Sequence, residues 1–277
     1  MIIDTHTHFY DPSRPQGVPW PPRENQLLYR TVLPHDAQAL AAPEGVTGTV
    51  VVEASAWLED NQWILGLAAE NSFIVGLVGH LDPNRPEFGA ELERFAANPI
   101  FRGIRCGGRY FEAVEQGSFL ADMALLAAKN LQLDVLVRKE HFDGLITLAQ
   151  HLPDLRIVID HIAHMPIDGQ AIPAEWVTHY GQLAAQPNIS MKVSALMEQS
   201  TLQPAPADLD FYRPTLDTLW HAFGEDRLIY GSNWPVCERS GSYEQGIAIV
   251  KGYFQEKGET AYQKYFWQNA QRVYKLT

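Results

Sequence analysis

Eight times along this chain a short apolar run gives way to a stretch with helical spacing. The clearest run is Gly48–Glu53, read as Gly-Thr-Val-Val-Val-Glu. Consecutive β-branched residues leave no polar face, which suits a parallel strand covered on both sides. Similar runs occupy Ile2–Asp4, Phe73–His80, Ile100–Cys106, Leu133–Arg138, Leu155–Ile159, Ile189–Val193 and Leu228–Tyr230. Helical stretches are expected over 60–71, 87–98, 119–131, 141–151, 174–186 and 210–224, with two closing helices over 243–257 and 260–274. Eight strand–helix alternations predict an α/β fold, a (β/α)8 TIM barrel, as one domain over 1–277. A doubly wound open sheet is the rival. It normally carries a glycine-rich phosphate loop after its first strand, and none follows Asp4 here. Tyr10–Pro43, proline-rich and containing Trp20, is long for a connection and is read as a loop over the barrel mouth.

Composition narrows the partners. Hydrophobic residues make up 46% of 277, enough for a large core. A net charge of −12 and a pI of about 5.2 disfavour nucleic acid and anionic membrane surfaces. No apolar run in the chain approaches the length of about 18 residues that a membrane span needs, so none is expected. Two cysteines, Cys106 and Cys237, give no disulfide framework. The chain opens into a strand without a basic leader, and a cytoplasmic setting is expected. The expected partner is a small molecule; homo-oligomerisation is left open.

The ends of the strands carry the chemistry. In a strand, side chains alternate, so His6 and His8 face the same way at the end of the first one. The later strands end on Glu53, His80, Arg105, Arg138, Asp160 with His161, Lys192 with Ser194, and Asn233. A charge at the end of an apolar strand is costly unless paired or used. One such residue is readily an ion pair. A set spread over eight strand ends fits the carboxyl face of a barrel, where active sites are built.

In order, the motifs Asp4-Thr-His-Thr-His8, Val50-Val-Val-Glu53, Phe101-Arg-Gly-Ile-Arg105, Val158-Ile-Asp-His161, Asn188-Ile-Ser-Met-Lys-Val-Ser194, Arg227-Leu-Ile-Tyr-Gly-Ser-Asn-Trp-Pro235 and Asn269-Ala-Gln-Arg-Val-Tyr274 resemble the lactonase-like branch of the amidohydrolase superfamily. That branch holds sugar-lactone hydrolases and pyrone dicarboxylate lactonase. The resemblance implies a barrel whose first-strand histidines, sixth-strand histidine and eighth-strand aspartate gather at one site: here His6, His8, His161 and Asn233. The chain departs from the pattern at the last, with Gly-Ser-Asn-Trp-Pro where the family usually has Gly-Ser-Asp-Trp-Pro. An amide cannot act as a base at neutral pH, and it takes one negative charge away from a divalent-metal site.

These readings cast His161, Glu53 and Asn233 as catalytic, with Glu53 able to compensate for the lost aspartate. Arg105, Arg138, His80, Trp57, Lys192 and Trp20 are cast as substrate contacts, and Trp234 as a further aromatic wall. The metal expectation is one divalent ion, zinc first, on His6, His8 and His161, or none. Asp160 is read as an anchor, and His164 is given no role. The function expected is a hydrolase opening a small sugar-acid lactone. The alternatives are a carboxylate decarboxylase and a barrel that only binds a small acid.

Overall fold

The computed structural model describes residues 1–276. Its eight strands form one parallel sheet in sequence order. They are β1 (Ile2–Thr7), β2 (Val46–Val52), β3 (Ile74–Gly79), β4 (Phe101–Gly107), β5 (Gln132–Leu136), β6 (Arg156–Ile159), β7 (Ile189–Val193) and β8 (Leu228–Tyr230). The sheet curls until β8 returns to β1. Thr7 bridges Trp234 in parallel, His8 N donates to Trp234 O at 2.9 Å, and Asn233 N donates to His6 O at 2.9 Å. Asp4 ties the seam. Its buried carboxylate accepts from Ser232 N at 2.8 Å, His6 N at 3.1 Å and the Tyr243 hydroxyl at 3.1 Å. These contacts nearly close the barrel and cover the edges that an open sheet would expose.

Helices wrap the sheet: α1 (Pro34–Ala41), α2 (Leu58–Glu70), α3 (Phe88–Ala96), α4 (Phe119–Ala128), α5 (Phe142–His151), α6 (Ala174–Ala184), α7 (Leu209–Phe223), α8 (Tyr243–Glu256), α9 (Glu259–Gln263) and α10 (Asn269–Tyr274). The expected closing helix over 260–274 is interrupted by a wide turn, Lys264–Gln268, with π-type hydrogen bonding. Such widened turns occur as single insertions in α-helices, and this one accompanies burial of two consecutive aromatic residues, Tyr265 and Phe266. Beyond it, Ala270, Val273 and Tyr274 pack on Ile3, Val50, Val52, Val78, Val158 and Ile229, closing the floor of the barrel.

The 10–43 segment is a strap rather than a plain loop, and it contains α1. Pro34 starts that helix, where a missing N–H costs nothing, and Asp36 accepts from Leu33 N at 2.9 Å. Ahead of it, Tyr10 pairs with Val32. Arg14 reaches Asp60 on α2 at 2.9 Å, and Arg30 reaches Glu238 beyond β8 at 2.7 Å. Those anchors hold Trp20 over the mouth.

Candidate active site

β1 delivers the first two imidazoles. Alternation along the strand places the His6 and His8 rings together, with centroids 4.9 Å apart. His161 arrives from β6, its ring 4.3 Å from that of His6. Its backbone is unusual: His161, Ile162, Ala163 and His164 have φ of 54°, 50°, 56° and 58°. Four successive L-residues in a left-handed turn cost about 1–2 kcal/mol each. Burial and hydrogen bonds hold the turn. Ile162 and Ala163 are fully buried, Tyr180 donates to Ile162 O at 2.8 Å, and His161 Nδ1 lies 2.8 Å from Ser194 Oγ. The turn brings His161 and His164 to one cavity wall, with ring centroids 5.7 Å apart.

Beneath the imidazoles lies a dry ion cluster. The Lys192 ammonium sits 2.7 Å from Asp134, 2.9 Å from Asp160 and 3.3 Å from His6 Nδ1, with no solvent exposure. Gly231 makes room for this layer, since a Cβ there would stand 2.8 Å from that of His6 and 3.2 Å from Lys192 Cδ. Burial alone would neutralise both Asp160 and Lys192. Their mutual attraction outweighs it, holding Asp160 well below the carboxylate range and Lys192 above its own. Burial pushes His6 and His161 well below the usual imidazole range, and His8 to about 4 with Arg105 helping. All three rings are neutral at pH 7. The His8 Nδ1–H donates to Val52 O at 2.9 Å, which leaves Nε2 as its lone-pair nitrogen.

The cavity above is lined on one side by His8, Trp20, Glu53, Arg105, Leu136 and Asn233, and continues past His161 and His164 to Glu198 and Arg239. Arg105 donates through Nε to Glu53 Oε1 at 2.9 Å and through Nη2 to Glu53 O at 2.8 Å. Its Nη1 lies 3.9 Å from Asp160 and makes no hydrogen bond among the described residues. Across the cavity, Asn233 adopts φ 63°, a conformation asparagine tolerates. Its Nδ2 donates to Glu198 Oε1 at 2.8 Å. Asn233 is also within hydrogen-bond reach of His8.

His6, His8, Glu53, Arg105, His161, Asn233 and Trp20 therefore converge at the carboxyl end of the barrel. Other candidates do not reach the cavity. Lys192 is corrected from a substrate contact to a buried counter-ion, because it points inward one layer too deep. Arg138 is exposed, and its neighbour Leu136 takes the wall position. His80 has its backbone clamped by Asn61, at 2.9 and 2.7 Å, and does not line the mouth. Trp57 lies outside the wall, 37% exposed at the start of α2. Trp234 is core, its indole donating to Glu238 at 2.8 Å. Three ionisable residues that line the cavity carry no role in the sequence reading: His164, Glu198 and Arg239.

The donor set fits a cation, though not the expected trio. His6, Asp160 and His161 offer ligand atoms within 4.8 Å of one another; His8 is not in that group. His6 Nε2 is buried with no hydrogen-bond partner, which marks a position for a ligand.

The chain belongs to the amidohydrolase family, whose model matches residues 3–276, and it is a hydrolase. It is 34% identical over 247 residues to an L-fucono-1,5-lactonase of Burkholderia ambifaria, covering 87% of this chain and 82% of that one. An L-fucono-1,5-lactonase of Burkholderia multivorans is 27% identical over 290 residues, covering 100% and 96%. Among solved structures, a Burkholderia multivorans amidohydrolase with bound zinc superposes with a TM-score of 0.87 at 25% identity, each chain covered in full. No helix among the described residues is long and apolar enough to cross a membrane.

Proposed function

We propose that this protein hydrolyses a small lactone, of the sugar-acid class, at the carboxyl end of its barrel. The observation that carries the reading is the 34% identity to an L-fucono-1,5-lactonase across most of both chains. The geometry supports it. The part of the cavity lined by His164, Glu198 and Arg239 has a volume of about 480 Å³ and is mostly polar. That is the size of a small-molecule site. Trp20, whose ring stands 5.9 Å from that of His8, offers a flat face to the C–H side of a sugar ring.

Ring opening needs a donor at the carbonyl oxygen as charge develops there, and an oriented water. Arg105 supplies the donor. Glu53 fixes the guanidinium through Nε and leaves Nη1 for the carbonyl. Glu53 thus acts through Arg105 rather than as the base. His161, neutral and held by Ser194, orients the attacking water. His6, Asp160 and His161 would hold a divalent cation, zinc first, and a bound cation supplies Lewis acidity toward the same carbonyl. Localisation in the cytoplasm and action as a single domain belong to this proposal.

The test is a panel of 1,4- and 1,5-lactones of hexonic and 6-deoxyhexonic acids, followed by proton release. Turnover of at least one 1,5-lactone well above its spontaneous opening is expected. A panel without turnover, at added zinc and without it, would overturn the reading.

A further inference from the structure

The eighth strand presents an amide where this chemistry calls for a proton acceptor, and the mouth of the barrel must supply one from elsewhere. Two carboxylates line the cavity. Glu53 is engaged by Arg105 at 2.9 Å. Glu198 comes from the short turn Met197–Gln199 that follows β7, and no Lys, Arg or His nitrogen approaches it within 4.0 Å among the described residues. Its Oε1 accepts from Asn233 Nδ2 at 2.8 Å, and no other described residue donates to its Oε2. Asn233 in turn lies within reach of His8. The amide therefore bridges an imidazole of β1 and a carboxylate beyond β7, and the negative charge stands one side chain outward from the eighth-strand position.

We propose that Glu198 is the proton acceptor of the hydrolysis, positioned by Asn233. This rests on the lactonase reading. The water oxygen bonds to the lactone carbonyl carbon while its proton passes to Glu198. The tetrahedral intermediate then breaks the bond from that carbon to the ring oxygen. The proton returns from Glu198 to the departing alkoxide, and a hydroxy acid leaves. No other reactant is consumed. Asn233 suits the positioning role because an amide donates to the carboxylate without competing for the proton.

The surroundings suit a base working near neutrality. Burial pushes the Glu198 carboxyl up to about 7, with the Asn233 hydrogen bond and Arg239 pulling against it. The other groups facing it are Tyr212 from α7, Cys237 beyond β8, and His161 and His164 across the cavity.

The experiment compares wild type, Glu198→Gln, and Glu198→Gln with Asn233→Asp on the lactone that wild type turns over best. Glu198→Gln should lower kcat by about 10²–10⁴ with little change in KM. The added aspartate, returning a carboxylate to the eighth strand, should recover about tenfold or more. The wild-type kcat/KM should rise with pH through an apparent pKa near 7. An acid limb below about pH 5.5 overturns the proposal even if Glu198→Gln does not fold. An active wild type with Glu198→Gln within about threefold of it overturns the proposal alone. A wild type inactive on every lactone overturns both this and the function it rests on.

Discussion

Two carboxylate environments lie within one site and differ in what faces the charge. Beneath the imidazoles, Asp134 and Asp160 share the Lys192 ammonium at 2.7 and 2.9 Å. At the rim no cation touches Glu198: the neutral amide of Asn233 donates at 2.8 Å, and Arg239 acts only from a distance. Asp134 and Asp160 are fully buried and Glu198 is partly so, and both environments exact a desolvation cost. In the floor the Lys192 ammonium offsets that cost for Asp160, holding it well below the carboxylate range, while burial still pushes Asp134 up to about 6. At the rim a single amide offsets little of it, and the Glu198 carboxyl moves to about 7. A buried carboxylate tied directly to a cation below the cavity is structural; one that lines the cavity with an amide beside it is placed to exchange protons. Along the same cavity Glu53 is ion-paired with Arg105 at 2.9 Å, a contact that Glu198 lacks.

The strongest way to break the comparison is to remove the cation from the floor. Lys192→Ala leaves two carboxylates buried without their ammonium, a change that typically costs about 3–5 kcal/mol. Urea unfolding should show that loss at pH 7. A cost below about 1 kcal/mol would mean that Lys192 does not set the floor apart from the rim. Next come the groups between the two layers. His161→Ala should reduce kcat by about 10²–10⁴, the usual range for losing a group that handles a proton or its water. Arg105→Ala should reduce it by about 10²–10³, as for one oxyanion donor. Initial rates on the best lactone decide both. A His161→Ala enzyme with full activity would shift the chemistry wholly to the rim.

The barrel was legible because strands buried on both faces need apolar residues at every position, and β7 and β8 fall where the sequence puts them. The end of β1 was not. Pairing continues through Thr5, His6 and Thr7, polar residues whose burial depends on Thr49, Asp160 and Tyr230 elsewhere in the chain. Strand alternation correctly sent Lys192 inward. Alternation carries no information about depth, and Lys192 lies a layer below Ser194, facing acids rather than solvent. Arg138 failed for the converse reason: it lies two residues beyond β5, where the chain has already turned outward. His164 was hidden because its place depends on a left-handed turn that nothing in His-Ile-Ala-His suggests; the turn is imposed by packing and by Tyr180 and Ser194. Glu198 lies five residues past Val193, outside any reading confined to strand ends. The one signal available was an acid following Ala-Leu-Met, a segment otherwise fit for burial.

The smallest effect is the sharpest test of why the rim differs. A carboxyl whose pKa is raised by folding, from 4.5 to about 7, binds its proton more tightly in the native than in the unfolded state. Such a group costs nothing when both states are protonated, below about pH 4. Its penalty grows as pH rises through 4.5 toward about 7, then stays constant once both states are ionised. Glu198→Gln removes the penalty while keeping an acceptor for Asn233 Nδ2. Relative to wild type it should therefore gain stability between about pH 5 and pH 8, by about 1–2 kcal/mol once partial exposure is allowed for. The difference should shrink toward zero near pH 4.5. Unfolding curves of the two proteins at pH 4.5, 6 and 8 measure it directly, because every other titrating group is common to both. A variant more stable at pH 8 yet slower in turnover would show stability given up for function at this one carboxylate. Equal stability at all three values would mean that folding costs the Glu198 carboxylate nothing, and the contrast between floor and rim would fall.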